Sequence, residues 1–202
     1  FNSQEMKAQL AKLFGDWKNT TKVQPSKVVK TSPAKQSNVV LVNKDNAGES
    51  TFLIGGLGIT RDNPDSVGLS VINTILGDRF TSWLNDELRV NAGLTYGARS
   101  RFTSYANDGS FVISTFTKTE TTTEAIDLAL KTYARLWENG VDQKTLDSAK
   151  AYVKGQFPPK FETSSDLAAL LVNMYGYQFD ENYINTFEQQ VNSLSVEKTK
   201  SL

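Results

Sequence analysis

Arg89 and Tyr96 stand seven positions apart in a chain that has no histidine and no cysteine. A tyrosine phenol is neutral near pH 7 and carries one directed O–H donor. An arginine guanidinium offers a rigid fork of N–H donors to a carboxylate or to backbone carbonyl oxygens. A donor aimed at a developing oxyanion lowers a reaction barrier, and its loss typically costs about 10²- to 10³-fold in rate. The pair is therefore typical of a site that positions a substrate and stabilises an oxyanion.

The same two residues also fit a structural explanation. An arginine near a helix end gains from the helix dipole, and a tyrosine at a strand start often packs half-buried with its hydroxyl in water. The residues between them include Gly93, which predicts a helix end followed by a tight turn. Such a turn would bring both side chains to the opening of one site. We therefore treat Tyr96 and Arg89 as candidate catalytic residues, and Arg89 also as a candidate substrate-binding residue.

Composition limits the other chemistry available to the chain. The 202 residues, of which 39% are hydrophobic and 22% charged, are enough for one sizeable core. The lack of cysteine excludes disulfides, thiol nucleophiles and thiolate metal sites. The lack of histidine excludes a Ser-His-Asp triad and the usual zinc ligands, and no calcium-loop spacing occurs among the acidic residues. We therefore expect no metal and no cofactor in this chain.

Charge and hydropathy limit the possible partners. The 22 basic and 22 acidic residues balance to a formal net charge of zero, so no long-range field favours a polyanion. No apolar run approaches the roughly 20 residues of a membrane helix, and the N-terminus lacks a signal-peptide pattern. We expect neither a nucleic-acid partner nor membrane insertion.

The elements that must position Arg89 and Tyr96 follow from the apolar pattern. Residues 38–42 and 50–60 predict strands, and residues 96–105 and 110–118 flank an Asp-Gly turn that is typical of a hairpin. Helical spacing of apolar residues predicts helices at 4–17, 67–77, 80–92, 126–139, 146–153, 164–174 and 183–191. Strands that precede a run of helices indicate an α+β domain whose antiparallel sheet is covered by helices on one face.

Three glycines interrupt the second apolar run, at Gly55, Gly56 and Gly58. Because glycine permits close approach of another backbone, Gly55 and Gly56 are candidate substrate-binding residues. Their spacing is not that of a phosphate loop, and a glycine in a strand more often marks a bend. Both explanations stay open on the sequence alone.

The chain divides where its apolar periodicity lapses. Residues 18–35 are rich in Lys, Thr, Ser, Pro and Asn, which predicts an extended linker. We therefore assign residues 1–17 to the terminal helix of a preceding domain, 18–35 to a linker, and 36–202 to the main domain.

Limited proteolysis should cut this linker first, because a segment without packed side chains is the preferred site of nicking. Intact mass and N-terminal sequencing of the products should give a core that begins near Gln36. First cuts between Thr121 and Gly155 would place the boundary elsewhere.

The residues around the Arg/Tyr pair form a longer pattern. Ile75-Leu76-Gly77 precedes the aromatic Phe80, and Leu88-Arg89 is followed by Gly93-Leu94-x-Tyr96. This pattern resembles the metal-free C-terminal domains of M16 zinc peptidases, the pitrilysin or insulinase type. The resemblance implies an M16-peptidase-like fold.

Segments on both sides extend the resemblance over nearly the whole chain. Phe14-x-x-Trp17 resembles the end of an M16 N-terminal domain. Gly140-Val141-Asp142 with Leu146 and Ala149-Lys150 is similar to a helix junction of the family. One departure is Asp78-Arg79, which stands where family members often have glycines, so a mobile glycine-rich loop is not expected here.

The resemblance implies roles for the pair. In M16 zinc peptidases it completes an active site whose zinc lies on another domain. Tyr96 would contact the scissile carbonyl of a peptide substrate, and Arg89 the substrate backbone on the primed side. The zinc-bearing domain would lie upstream in the same polypeptide or on a partner subunit. The implied compartment is the bacterial periplasm, with mitochondria as the alternative.

A second function class stays open. M16-like folds also serve as non-catalytic core subunits of respiratory complexes and as inactive partners, so the chain would then be a structural or interaction module. An upstream His-x-x-Glu-His helix in the parent sequence would favour the peptidase, and its absence would favour the helper or scaffold.

Overall fold

The computed structural model describes residues 1–18, 20 and 31–202. Helix α1 spans Ser3–Phe14, which confirms the first predicted helix. The side-chain oxygen of Asn2 caps it by accepting from the backbone N–H groups of Gln4 and Glu5. Most of the predicted linker, residues 18–35, lies outside the described residues, so the proposed domain boundaries stay predictions.

The sheet confirms the predicted hairpin and the second apolar run. Strand β1 spans Glu49–Leu57, β2 spans Ala98–Ser104 and β3 spans Gly109–Lys118. In the described residues the sheet has three strands in the order β1-β3-β2, and both pairings are antiparallel. β1 ends three residues earlier than predicted, although the N–H of Gly58 still donates to the carbonyl of Gly109 at 2.9 Å just beyond the strand end.

The predicted strand at residues 38–42 is wrong. These residues are irregular in the structure, and Val39, Val40, Leu41 and Val42 are 96%, 83%, 89% and 86% exposed. A β-branched run favours a strand only when a neighbouring strand pairs with it and one face is buried. In the described part of the chain, β1 pairs with β3 alone, and this run has no such partner.

Helices make up most of the remaining structure, largely where they were predicted. The helix α2 spans Ser66–Asn73 and continues as a π-helical turn, Thr74–Asp78, and α3 spans Trp83–Asn85 and continues as a second π-helical segment, Asp86–Asn91. The later helices are α4 at Thr122–Glu138, α5 at Gln143–Gly155, α6 at Ser164–Tyr177, α7 at Asn182–Asn185, α8 at Phe187–Ser193 and α9 at Val196–Thr199.

Two details of the helical prediction are wrong. The single helix expected from Tyr183 to Val191 is broken at Thr186, whose hydroxyl donates to the carbonyl of Asn182 at 2.7 Å. The inward face expected on α6 is not buried in the described structure: Leu167 and Leu171 are 46% and 55% exposed. Apolar periodicity identifies a helix but does not show whether a neighbour covers it.

The helices cover one face of the sheet, which confirms the α+β class. One core cluster joins β2 and β3 to the helical layer through buried Leu76, Leu84, Leu88, Ala98, Ile113 and Ala129. A second cluster joins α2, α5 and α8 through Val71, Ile75, Leu146, Ala149 and Val191. Residues on the other sheet face are exposed, such as Leu53 at 70%, or half-buried, such as Val112, Ser114 and Phe116. We call this uncovered surface, which carries Leu53, Val112, Ser114, Phe116, Arg99 and Arg101, the open sheet face.

The first π-helical segment, Thr74–Asp78, and the residue before it are fastened to β2. The Oγ of Ser100 donates to the Oδ1 of Asn73 at 2.6 Å, and the amide of Asn73 donates to the carbonyl of Ser100 at 3.2 Å. Gly77 lies so close to β2 that a Cβ on it would collide with the backbone nitrogen and Oγ of Ser100. This contact holds the segment that leads to Arg89 against the strand that follows Tyr96.

Candidate active site

Arg89 and Tyr96 flank one hydrogen-bonded turn. Arg89 lies in the π-helical segment Asp86–Asn91, and π-helical turns are frequent at functional sites. Gly93 then adopts a left-handed conformation with φ +63°, and the N–H of Leu94 donates to the carbonyl of Leu88 at 2.8 Å. That bond joins the residue before Arg89 to the residue two positions before Tyr96, so the two candidates lie on either side of one turn, and a shared site for their side chains stays a prediction.

The backbone on both sides of Tyr96 is tied to the sheet. The hydroxyl of the buried Thr115 on β3 lies 2.9 Å from the carbonyl oxygen of Gly97 and 3.1 Å from the hydroxyl of Thr95. The hydroxyl of Thr117 donates to the carbonyl of Leu94 at 2.7 Å. The tyrosine backbone is therefore held by its neighbours before any ligand binds.

The helical layer provides a further anchor. The N–H of Ala98, the first residue of β2, donates to the Oδ1 of Asn85 at 2.9 Å. Asn85 belongs to α3 and is 6% exposed. The buried side-chain amide of Asn85 therefore holds α3, which precedes Arg89, against β2, which follows Tyr96.

The phenol of Tyr96 itself is open to solvent. Its side chain is 83% exposed, and its ring centroid lies 6.4 Å from that of Phe116 on the open sheet face. If Tyr96 served only to pack at the start of the strand, its side chain would be half-buried. The exposed position instead leaves the O–H free to donate to a bound molecule.

Arg89 is oriented by an aromatic ring. Its guanidinium carbon lies 4.5 Å from the centroid of the Phe80 ring, within cation–π range. The neighbouring carboxylate of Glu87 is engaged elsewhere, since it accepts from Nη1 of Arg135 at 2.9 Å. Among the described residues no carboxylate forms an ion pair with Arg89, so its N–H fork is available to a ligand.

The structure does not bring Gly55 and Gly56 to the Arg/Tyr turn. Both lie on β1, where Gly55 pairs with Val112, whereas Tyr96 lies beside Phe116, four residues further along β3. A Cβ on Gly55 would come within 2.5 Å of the carbonyl oxygen of Phe111, so close strand packing accounts for this glycine. Gly56 has open space around it, and its substrate-binding role stays a prediction.

The residues present do not fit a zinc site. The chain has no histidine or cysteine, and no group of three acidic side chains in residues 1–18 and 31–202 lies close enough to hold a metal ion. Within the same residues, no helix is both long and apolar enough to cross a membrane.

Sequence reasoning missed the residues that hold the pair in place. The apolar spacing places Phe80 at the start of the helix predicted for residues 80–92. In the structure its ring is 69% exposed and lies against the guanidinium of Arg89. Asn85 and Thr115 carry no spacing signal, because their partners lie on other elements.

The family model described as the Peptidase M16 inactive domain matches residues 1–153. The chain belongs to this family. The predicted resemblance is thereby confirmed, and the Arg/Tyr turn lies in the matched part of this M16 inactive domain.

Relatives and solved structures agree with the assignment. The chain is 30% identical over 130 residues to the "Non-peptidase homolog YmxG" of Helicobacter pylori, a match that covers 63% of this chain and 30% of the relative. It is 25% identical over 197 residues to the "Zinc protease PqqE" of the same organism, covering 96% of this chain and 44% of the relative. The chain therefore spans less than half the length of both curated relatives.

A solved structure extends the fold similarity to the whole chain. The crystal structure of a protease from Helicobacter pylori superposes with a TM-score of 0.89 at 23% identity, covering 100% of this M16 inactive domain and 49% of the other chain. At that identity the match shows the fold alone, including the helices α6 to α9 beyond the family match.

Proposed function

We propose that this chain is the C-terminal domain of an M16-type zinc peptidase, or of its non-zinc partner subunit. In this proposal it supplies Arg89 and Tyr96 for binding a peptide and stabilising the oxyanion of peptide-bond hydrolysis. The observation that carries the proposal is the exposed Tyr96 phenol on a backbone fixed by buried Thr95 and Thr115. A preorganised donor is what transition-state stabilisation requires.

Tyr96 acts on the scissile carbonyl. Its O–H donates to the carbonyl oxygen, and that bond strengthens as negative charge grows on the oxygen in the transition state. The backbone bonds of Thr95 and Gly97 matter because a fixed donor needs no reorganisation during the reaction. The domain itself contributes no metal ligand.

Arg89 holds the peptide in register. Its forked donors suit backbone carbonyls or a substrate carboxylate, and the Phe80 ring beneath it limits the rotamers that it can adopt. Positioning of this kind lowers the entropic part of the barrier. The zinc-bearing domain that completes the site is then an M16 N-terminal domain, in the same polypeptide or on a partner subunit.

One observation favours a second function, that of a non-catalytic structural or interaction module. One relative, at 30% identity, is named a non-peptidase homolog. In that case Arg89 is only a helix-end cation, and Tyr96 is an exposed residue of an interface.

Arg89→Ala in the full-length protein, assembled with the zinc-bearing domain, distinguishes the two functions. We expect kcat/KM for peptide hydrolysis to fall by at least about tenfold, mainly through a higher KM, because lost positioning weakens substrate binding. The matched control is Lys131→Ala, which removes an exposed cation from α4 in the helical layer. Steady-state kinetics measure both variants. If kcat/KM of Arg89→Ala stays within about threefold of wild type, as expected for Lys131→Ala, the result supports the non-catalytic module.

A further inference from the structure

Two cations lie beside Tyr96 on the open sheet face. Strand residues alternate between faces, and Ala98 and Ser100 of β2 are buried at 0% and 2% exposure against the helical layer. Arg99 and Arg101 therefore project from the opposite face and are exposed. That is the face on which the Tyr96 ring lies beside Phe116.

The surroundings of these arginines do not neutralise them. Opposite Arg99 on β3 is Ser114, and beyond it Leu53 on β1; opposite Arg101 is Val112, and beyond it Gly55. The carboxylate of the sheet nearest in register is Glu49, at the start of β1, and it pairs across the sheet with Lys118 at the Tyr96 end. Among the described residues no salt bridge involves Arg99 or Arg101.

The spacing matches an extended peptide. The ring of Tyr96 lies beside Phe116 on β3, and Arg99 and Arg101 are opposite Ser114 and Val112, two and four residues away along the same strand. A strand rises about 3.3 Å per residue, so the two arginines lie roughly 7 Å and 13 Å from that ring along the strand direction. An extended peptide whose scissile carbonyl meets Tyr96 rises by the same amount per residue. Its side chains two and four positions from the scissile bond would then pass over the two arginines.

We propose that Arg99 and Arg101 are specificity-determining residues that favour substrates with acidic side chains two to four positions from the scissile bond. The inference rests on the proposed function, because Tyr96 sets the register. The pair presents two positive charges on a face whose other central residues are the apolar Leu53, Val112 and Phe116 and the neutral Ser114. Acidic side chains flanked by apolar ones complement that pattern, whereas the net charge of the whole chain, which is zero, gives no sign of it.

The test compares two peptides. A cleavage site is first mapped in a neutral peptide, using the full-length protein assembled with its zinc-bearing domain. Derivatives then carry Asp or Asn at the second and fourth residues on either side of that bond. The proteins are wild type, the double variant Arg99→Gln/Arg101→Gln, and Lys131→Gln as a charge-matched control on α4. The readout is the Asp-to-Asn ratio of kcat/KM, and fluorescence anisotropy gives the same ratio for binding where no peptide is cleaved.

We expect wild type and Lys131→Gln to favour the Asp peptide about five- to tenfold on one side of the bond, because each exposed ion pair contributes only a few-fold. The double variant should lower that ratio to about one, and 0.5 M salt should weaken the wild-type preference, because salt screens exposed charges. A wild-type ratio near one, or a ratio unchanged in the double variant, overturns the inference.

The outcome is separable from that of the proposed function. Tyr96→Phe should slow hydrolysis of both peptides equally and leave their ratio unchanged, since the phenol does not contact the acidic side chains. If Tyr96→Phe has no effect on turnover while the arginine variants abolish the acidic preference, the catalytic role of Tyr96 falls and the specificity role of the arginines stands.

Discussion

Tyr96→Phe should lower kcat for peptide hydrolysis by about 100-fold in the full-length protein assembled with its zinc-bearing domain. The substitution removes one hydroxyl, and the loss of a single oxyanion donor costs about 10²- to 10³-fold. Its effect on folding should be small, because the side chain is 83% exposed and the ring beside Phe116 is kept. KM should change little, since the donor acts mainly in the transition state.

The control for this variant is another exposed tyrosine. Tyr175 on α6 is 89% exposed, and Tyr175→Phe removes the same hydroxyl at a distance from the Arg/Tyr turn. Its kcat should match wild type, and thermal unfolding should be the same for both variants. If kcat of Tyr96→Phe stays within about threefold of wild type, Tyr96 is a surface residue without a chemical role.

Gly77→Ala should lower the free energy of unfolding by about 2 to 3 kcal/mol, the upper range for overpacking a tight site. The added Cβ would collide with the backbone nitrogen of Ser100 and lie 2.9 Å from Cδ1 of Leu84. A strand backbone cannot move aside as a side-chain end can. A shift of β2 away from Gly77 would also lengthen the two hydrogen bonds between Asn73 and Ser100. Both residues are buried, so weakening these bonds adds to the cost.

Gly176→Ala is the matched control, because a Cβ at that position on α6 meets nothing within 4 Å. There the substitution should raise the free energy of unfolding by up to about 1 kcal/mol, since alanine is the better helix former. Urea unfolding followed by circular dichroism measures both changes. Equal effects at the two glycines would show that close packing against β2 is not what requires Gly77.

Much of the scaffold could be predicted from the sequence, because its elements carry local signals. The Asp-Gly turn identified the β2–β3 hairpin, and Gly93 identified the left-handed turn between Arg89 and Tyr96. Apolar spacing located the helices with small errors at their ends, except that the helix predicted at residues 183–191 is divided at Thr186. The family resemblance rested on residues in these same segments.

Features that depend on distant partners were not predictable. Residues 38–42 have strand propensity, yet no strand pairs with them in the described structure, and α6 has a helical apolar face that stays partly exposed there. Likewise Thr115 anchors the loop of Tyr96 from another strand, and Phe80 orients Arg89 across a turn. Single-sequence patterns report what a segment prefers, not which surface it meets.

The exposed run Val39-Val40-Leu41-Val42 has a practical consequence for colloidal behaviour. Four consecutive apolar side chains with strand propensity are a template for pairing with the same run of another molecule. Electrostatic repulsion does not oppose this contact, since the sequence pI is about 6.6 and the formal charge is zero. Dilution or a charged residue within the run is therefore the effective means of keeping the chain dispersed.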